Sequence, residues 1–191
     1  SFHLEPEATV LYLGDGIYQN QVKLIQNIAA SLPAGSYLYV KDHPHEYAYR
    51  DACDYKRLMN VPNIRLIHQS IPGKKLIANA KGVFSINGTA CLEALLLGKQ
   101  VYCFGNSYYA CQERVNVIKN VRDIRDIVYT LVDKVYSDDN DLYAFVEAYL
   151  ESSHSGYTDF FCGRQNSLGI DIRQNGMTMA EDIIIEFDIT Y

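Results

Sequence analysis

Between residues 82 and 109 the chain reads GVFSINGTACLEALLLGKQVYCFGNSYY, and its polar residues are spaced for holding an anion. Ser85, Asn87, Gly88 and Thr89 fall in a small-residue turn between an apolar β-rich run (83–86) and an apolar helical stretch. A turn that feeds a helix start offers unpaired N–H groups and the positive end of the helix dipole to a phosphate. Asn87 has the side chain of an N-cap. Glu93 lies four residues after Thr89, hence on the same helix face and one turn deeper. There a carboxylate can accept hydrogen bonds from a ligand's hydroxyls. Other residues of the stretch, Ala90, Cys91, Leu92 and 94–97, are apolar nearly all round, which predicts a buried helix. Gly98 follows it as a left-handed terminator. Further back, Pro44 biases His43 toward extended backbone, at a strand exit where either ring nitrogen can donate to a phosphate oxygen.

These residues need elements that bring them to one edge. Apolar β-rich runs at 9–13, 37–40, 64–68, 83–86 and 100–104 alternate with helical periods at 20–32, 46–59, 72–80 and 89–97. That alternation predicts a parallel sheet with helices on both faces. Helical patterns follow at 121–136 and 142–152, then a turn-rich stretch at 156–176 and a closing helix at 179–187. Ligands of such sheets bind beyond the carboxyl ends of the strands. The five exits carry Gly14, Asp15 and Gly16; His43; Gln69 and Ser70; Ser85 and 87–89; and Gly105, Asn106 and Ser107. Taken singly, each of these reads better as a turn, a cap or a loop. Their agreement along one edge favours a ligand site. Tyr108 and Tyr109 are a weaker signal for stacking on a base, because the chain has 16 tyrosines.

Composition narrows the function classes. The 191 residues are 48% hydrophobic, enough for a real core, and the net charge of −6 argues against a nucleic-acid partner. No apolar run approaches the roughly 20 residues of a membrane helix. The five cysteines form no CxxC pair and no zinc spacing, so reduced core thiols are expected and no metal site is. The opening Ser-Phe-His-Leu, without methionine, points to a piece of a longer or processed protein.

The run 87–95 (NGTACLEAL), Gly98-Lys99, 101–105 and Tyr108 resembles the signature of bacterial capsule polysaccharide biosynthesis proteins, and 41–44 (KDHP) resembles that family's Lys-x-His-Pro element. The likeness covers about 9–109. It implies a Rossmann-like domain, the C-terminal half of a GT-B glycosyltransferase whose two domains face a cleft. One such domain is expected over 1–191, with a core at 9–136 and a helical extension at 137–191. The resemblance implies that His43 contacts the donor phosphate, that Ser85 and the Asn87, Gly88, Thr89 turn hold phosphate or nucleotide, and that Glu93 binds ribose hydroxyls. Ser70 and Ser107 complete the edge, and Asp15 and His43 are the catalytic candidates. The donor would be a CMP- or UDP-linked sugar, used without a further cofactor. The acceptor would be a growing glycan or glycolipid, met in the cytoplasm at the inner face of the membrane through the parent protein. Two rivals stay open: a sugar-nucleotide epimerase of the same architecture, and an assembly module that has lost catalysis.

Overall fold

In the computed structural model the described residues are 2–3, 18, 20–43, 50–131, 134, 136, 138–154, 156, 169 and 171–186. The strand expected at 9–13 lies outside them, as do Gly14, Asp15, Gly16 and Pro44. The chain divides into two compact units, Ser1–Leu142 and Tyr143–Tyr191.

In the first unit, Asn20 caps α1 (Gln21–Ser31), its side-chain oxygen accepting the Lys23 N–H at 2.9 Å. Strand β1 (Leu38–Lys41) follows, then α2 (Ala52–Met59), β2 (Ile64–Ile67), α3 (Gly73–Ala78), β3 (Gly82–Ser85), α4 (Thr89–Leu96) and β4 (Gln100–Cys103). A 3₁₀ turn at Tyr108–Cys111 leads to β5 (Val115–Val117), and α5 (Ile124–Leu131) comes next. All described strand pairs are parallel: β1 with β2 (Leu38 opposite Ile64), β3 with β4 (Gly82 opposite Gln100) and β4 with β5 (Val101 opposite Val115). The α/β class and the parallel pairing of a Rossmann-like sheet are therefore observed, in two hydrogen-bonded groups, β1–β2 and β3–β4–β5.

Alternation along β4 assigns its faces. Tyr102 joins Phe104, Ile86 and Ile118 in a cluster with Leu24 and Ile28 of α1 and Ile124 and Val128 of α5. Val101 and Cys103 point the other way, and α4 packs on β3 and β4. A second cluster joins Phe2, Val22, Ile25, Ala29, Val40, Leu58 and Ile64.

Several boundaries correct the sequence reading. Strand β5 was not expected, because Asn116 interrupts a run of only three residues. Helix α4 is not buried all round: Cys91, Ala94 and Leu95 are, but Leu96 and the C-cap residue Leu97 stand about half exposed (51% and 49%). Apolar composition reported which side chains the helix has, not how much of it is covered. Gly98 does end α4 in the left-handed region, with φ +66°.

The second unit contains most of α6 (Asn140–Glu151) together with α7 (Ile172–Glu186). Helix α7 begins within the stretch read as irregular, seven residues before the expected 179. Its weak amphipathic pattern, with Gly176 inside, hid the first two turns. His154 lies 3.7 Å from the half-buried Asp182 and 3.8 Å from the exposed Glu186, two residues one turn apart on α7. Among the described residues no helix is long and apolar enough to cross a membrane, and no three His, Cys, Asp or Glu side chains are grouped to hold a metal ion.

Candidate functional site

The end of β3 and the start of α4 form one hydrogen-bonded turn. Ser85 is buried, and its hydroxyl accepts the Gly88 N–H at 3.1 Å. Gly88 is the N-cap of α4, with φ −99° and ψ 154° and no side-chain cap, so Asn87 does not cap this helix as its residue type suggested. Asn87 reaches across instead, donating from Nδ2 to the Asn106 carbonyl at 2.9 Å. Tyr109, buried, donates its hydroxyl to the Gly88 carbonyl at 3.0 Å. The exits of β3 and β4 are thereby tied together around the first turn of α4. Further main-chain bonds do the same: Phe104 N–H to Ser85 O (3.1 Å) and Gly105 N–H to Ile86 O (2.8 Å).

Two polar side chains of α4 take no part in that network. Thr89 is exposed and Glu93 half-buried, and among the described residues no side-chain hydrogen bond or ion pair engages either. A half-buried carboxylate without a partner costs desolvation energy, which is tolerated where a ligand supplies the missing donors.

The remaining expected residues distribute unevenly. His43, half-buried past the end of β1, donates its backbone N–H to Asp42 Oδ1 at 3.2 Å. Asp42 also accepts the Tyr55 hydroxyl and lies 3.9 Å from Arg50 Nε. Ser70 is exposed and bonded within its own turn to His68 Nδ1 at 2.8 Å. The neighbouring Gln69 buries a side-chain oxygen that has no hydrogen-bond partner among the described residues. Ser107 is half-buried, its hydroxyl 3.7 Å from Cys103 Sγ. Ser85, Asn87 and Gly88 are thus brought together with Thr89 and Glu93 on the same short helix, and Asp15 lies outside the described residues.

Sequence reasoning missed His3 and Gln21 as members of this edge, and it offered Tyr109 only as a base-stacking ring, whereas the buried side chain ties down the Gly88 carbonyl. His3 Nε2 lies 2.9 Å from Ser85 Oγ, and Gln21 hydrogen-bonds the His3 main chain. One signal was available: Gln21 opens a helix whose neighbours Val22, Leu24 and Ile25 are all core residues, an unusual place for an amide unless it is paired.

Beneath the turn, Cys91 is fully buried, and burial first, then the neighbouring Cys103, pushes its thiol up to about 12. Burial likewise raises the Tyr109 phenol. Both are neutral groups of a packed core. Iodoacetamide at about pH 8 should therefore modify exposed Cys53 and Cys111 in the native chain and spare Cys91 and Cys103, as read by peptide mass mapping. Because the folded thiol holds its proton more tightly than the unfolded one, its contribution to stability is complete at neutral pH. That contribution is lost as pH rises from the usual thiol range toward about 12. Cys91→Ala should flatten that alkaline limb of a melting-temperature profile.

Comparison with known proteins adds a second line. The family model described as capsule polysaccharide biosynthesis protein matches residues 8–113, more than half of the chain. A stretch of 54 residues is 44% identical to Protein FixF of Sinorhizobium fredii (strain NBRC 101917 / NGR234), covering 28% of this chain and 13% of that protein. The chain thus matches only a small part of that relative's length. No solved structure matches it.

Proposed function

We propose, for a chain that belongs to the capsule polysaccharide biosynthesis protein family and so has a role in surface polysaccharide biosynthesis, that it is the donor-nucleotide half of a GT-B glycosyltransferase. The donor is a CMP- or UDP-linked sugar and the acceptor a growing glycan or glycolipid. The parent protein works in the cytoplasm against the inner face of the membrane.

One observation carries this reading: Thr89 and Glu93, on one face of α4 directly behind the Ser85–Gly88 turn, are polar groups without protein partners among the described residues. The N–H groups at the start of α4 and the Thr89 hydroxyl are placed to donate to a phosphate. Glu93, one turn below, accepts from ribose hydroxyls. Transfer leaves negative charge on the departing nucleotide phosphate, and the positive end of α4 together with His43 stabilises it. Deprotonation of the acceptor falls to Asp15, to His43 or to a residue of the facing domain.

Glu93→Gln tests the reading. A hydrogen bond to a charged group contributes about 1.5–3 kcal/mol, so losing the charge should weaken CMP or UDP binding by about tenfold or more. The melting temperature should stay unchanged, because no protein partner is stranded. A variant that melts far below the parent and binds nucleotide as well as it does would make Glu93 structural and remove the main support. The rivals separate on products. An epimerase releases free nucleotide and epimerised sugar without an acceptor, and an assembly module binds no nucleotide at all.

A further inference from the structure

We propose that His3 is a positioning residue of this donor site: its imidazole fixes the Ser85 hydroxyl that closes the turn before α4, and so governs how tightly the turn holds a nucleotide phosphate. The inference rests on the nucleotide-binding reading above.

Four elements hold residues 2 and 3 in place. At the end of β1, the Phe2 N–H donates to the Lys41 carbonyl at 2.9 Å. In the first turn of α1, Gln21 accepts the His3 N–H on Oε1 at 2.8 Å and returns Nε2–H to the His3 carbonyl at 3.2 Å. At the end of β3, His3 Nε2 sits 2.9 Å from Ser85 Oγ. At the start of α4, the ring edge lies so close to Gly88 that a Cβ there would be 3.3 Å from His3 Cε1. Phe2, His3, Gln21 and Ser85 are all buried. A clamp of this kind fixes the ring to one place on the strand-exit edge.

The chemistry lies in the single proton of Ser85. Its oxygen already accepts the Gly88 N–H. When His3 carries hydrogen on Nε2, it donates to Ser85 Oγ, and the serine proton turns away from the ring, toward the Cys91 thiol while the turn is empty and toward a phosphate once one is bound. When Nε2 is bare, the serine proton is drawn to it and withheld from the ligand. Imidazole alone among neutral side chains offers both states from one nitrogen. A phosphate in the turn selects the Nε2–H form, so His3 and the ligand are coupled through Ser85. A histidine that merely fills the core would hold one hydrogen bond whether or not a ligand is present.

The test uses the whole 191-residue chain with ¹⁵N-labelled histidine, titrated with CMP and with UDP. The His3 Nε2 resonance should move toward the protonated-nitrogen range along the same saturation curve as the Gly88 and Thr89 amides. His3→Phe should bind about tenfold or more weakly, and His3→Gln, which keeps a donor near Nε2, should recover part of that loss. His3→Phe combined with Ser85→Ala should bind no more weakly than either alone, since both act through one hydroxyl. A ring signal unmoved at saturation, a folded Phe variant with parental affinity, or losses that multiply in the double variant would each overturn the inference while leaving nucleotide binding intact. If the Phe variant does not fold, the ring signal of the unaltered chain decides. A parent chain that binds neither CMP nor UDP overturns the donor-site reading, and this inference with it.

Discussion

Gly88→Ala should weaken nucleotide binding by one to two orders of magnitude and cost about 1–3 kcal/mol of stability, the usual range for forcing a methyl into a packed site. The reason is space and not backbone freedom, because φ −99° and ψ 154° suit any residue. A methyl at this position would meet Ser85 Oγ at 2.8 Å and His3 Cε1 at 3.3 Å. The serine can give way only by rotating off both the Gly88 N–H and His3, which opens the turn that presents donors to the phosphate. Gly98→Ala is the matching control. There φ is +66° and the nearest atom is Arg114 Nη1 at 3.9 Å, so the penalty is backbone strain of about 1–2 kcal/mol. It falls at the far end of α4. Calorimetric titration and thermal melts on the two variants should show loss of both binding and stability for Gly88→Ala, but of stability alone for Gly98→Ala. Parental affinity in Gly88→Ala would mean that the ligand does not use this turn.

Arg114→Ala should destabilise the first unit by about 2–4 kcal/mol, whereas Asp139→Ala should cost about 1 kcal/mol. The two residues form one ion pair, with Arg114 Nη2 2.5 Å from Asp139 Oδ1, but their surroundings differ. The Arg114 side chain is 8% exposed and Asp139 52%. Removing the arginine also deletes its bond to the Asp138 carbonyl at 2.7 Å and its contact over the Tyr136 ring, 4.6 Å from guanidinium carbon to centroid, and it empties a buried volume. Removing the aspartate leaves the guanidinium its carbonyl and its ring, with water at the exposed side. Gln112 works beside it, donating to Asp141 Oδ2 at 2.8 Å, so 112–114 fastens Tyr136, Asp138, Asp139 and Asp141 to the sheet. Urea melts of both variants check the inequality; equal losses would show that the charge pair dominates and the packing does not.

Much of this was legible in the sequence, and the pattern of misses has physical causes. The strands and helices from 20 to 104 are local matters of apolar period, turn residues and caps: Asn20 before α1, Pro72 before α3 and Gly98 after α4 all act where their types suggest. The turn at 85–89 could be read for the same reason, since its members are neighbours in the chain. Long-range pairing was not legible. Asn87 has an N-cap's side chain but spends it on Asn106, and nothing within five residues signals that choice. His3 meets Ser85 across 82 residues, which a single sequence cannot announce. Strand β5 is held by its partner β4 more than by its own residues.

Helix α1 contributes to both hydrophobic clusters: Leu24 and Ile28 to the one beneath β3 and β4, and Val22, Ile25 and Ala29 to the one beneath β1 and β2. Leu38 packs against both as well. Strand pairing alone would leave these two groups as separate patches able to melt one at a time. A single helix common to both removes that freedom, because neither patch can open without stripping one side of α1 and weakening its hold on the other. Cooperative unfolding of the first unit is therefore a property of eleven residues, and Gln21, which anchors His3 from the same helix, draws the ligand edge into that transition.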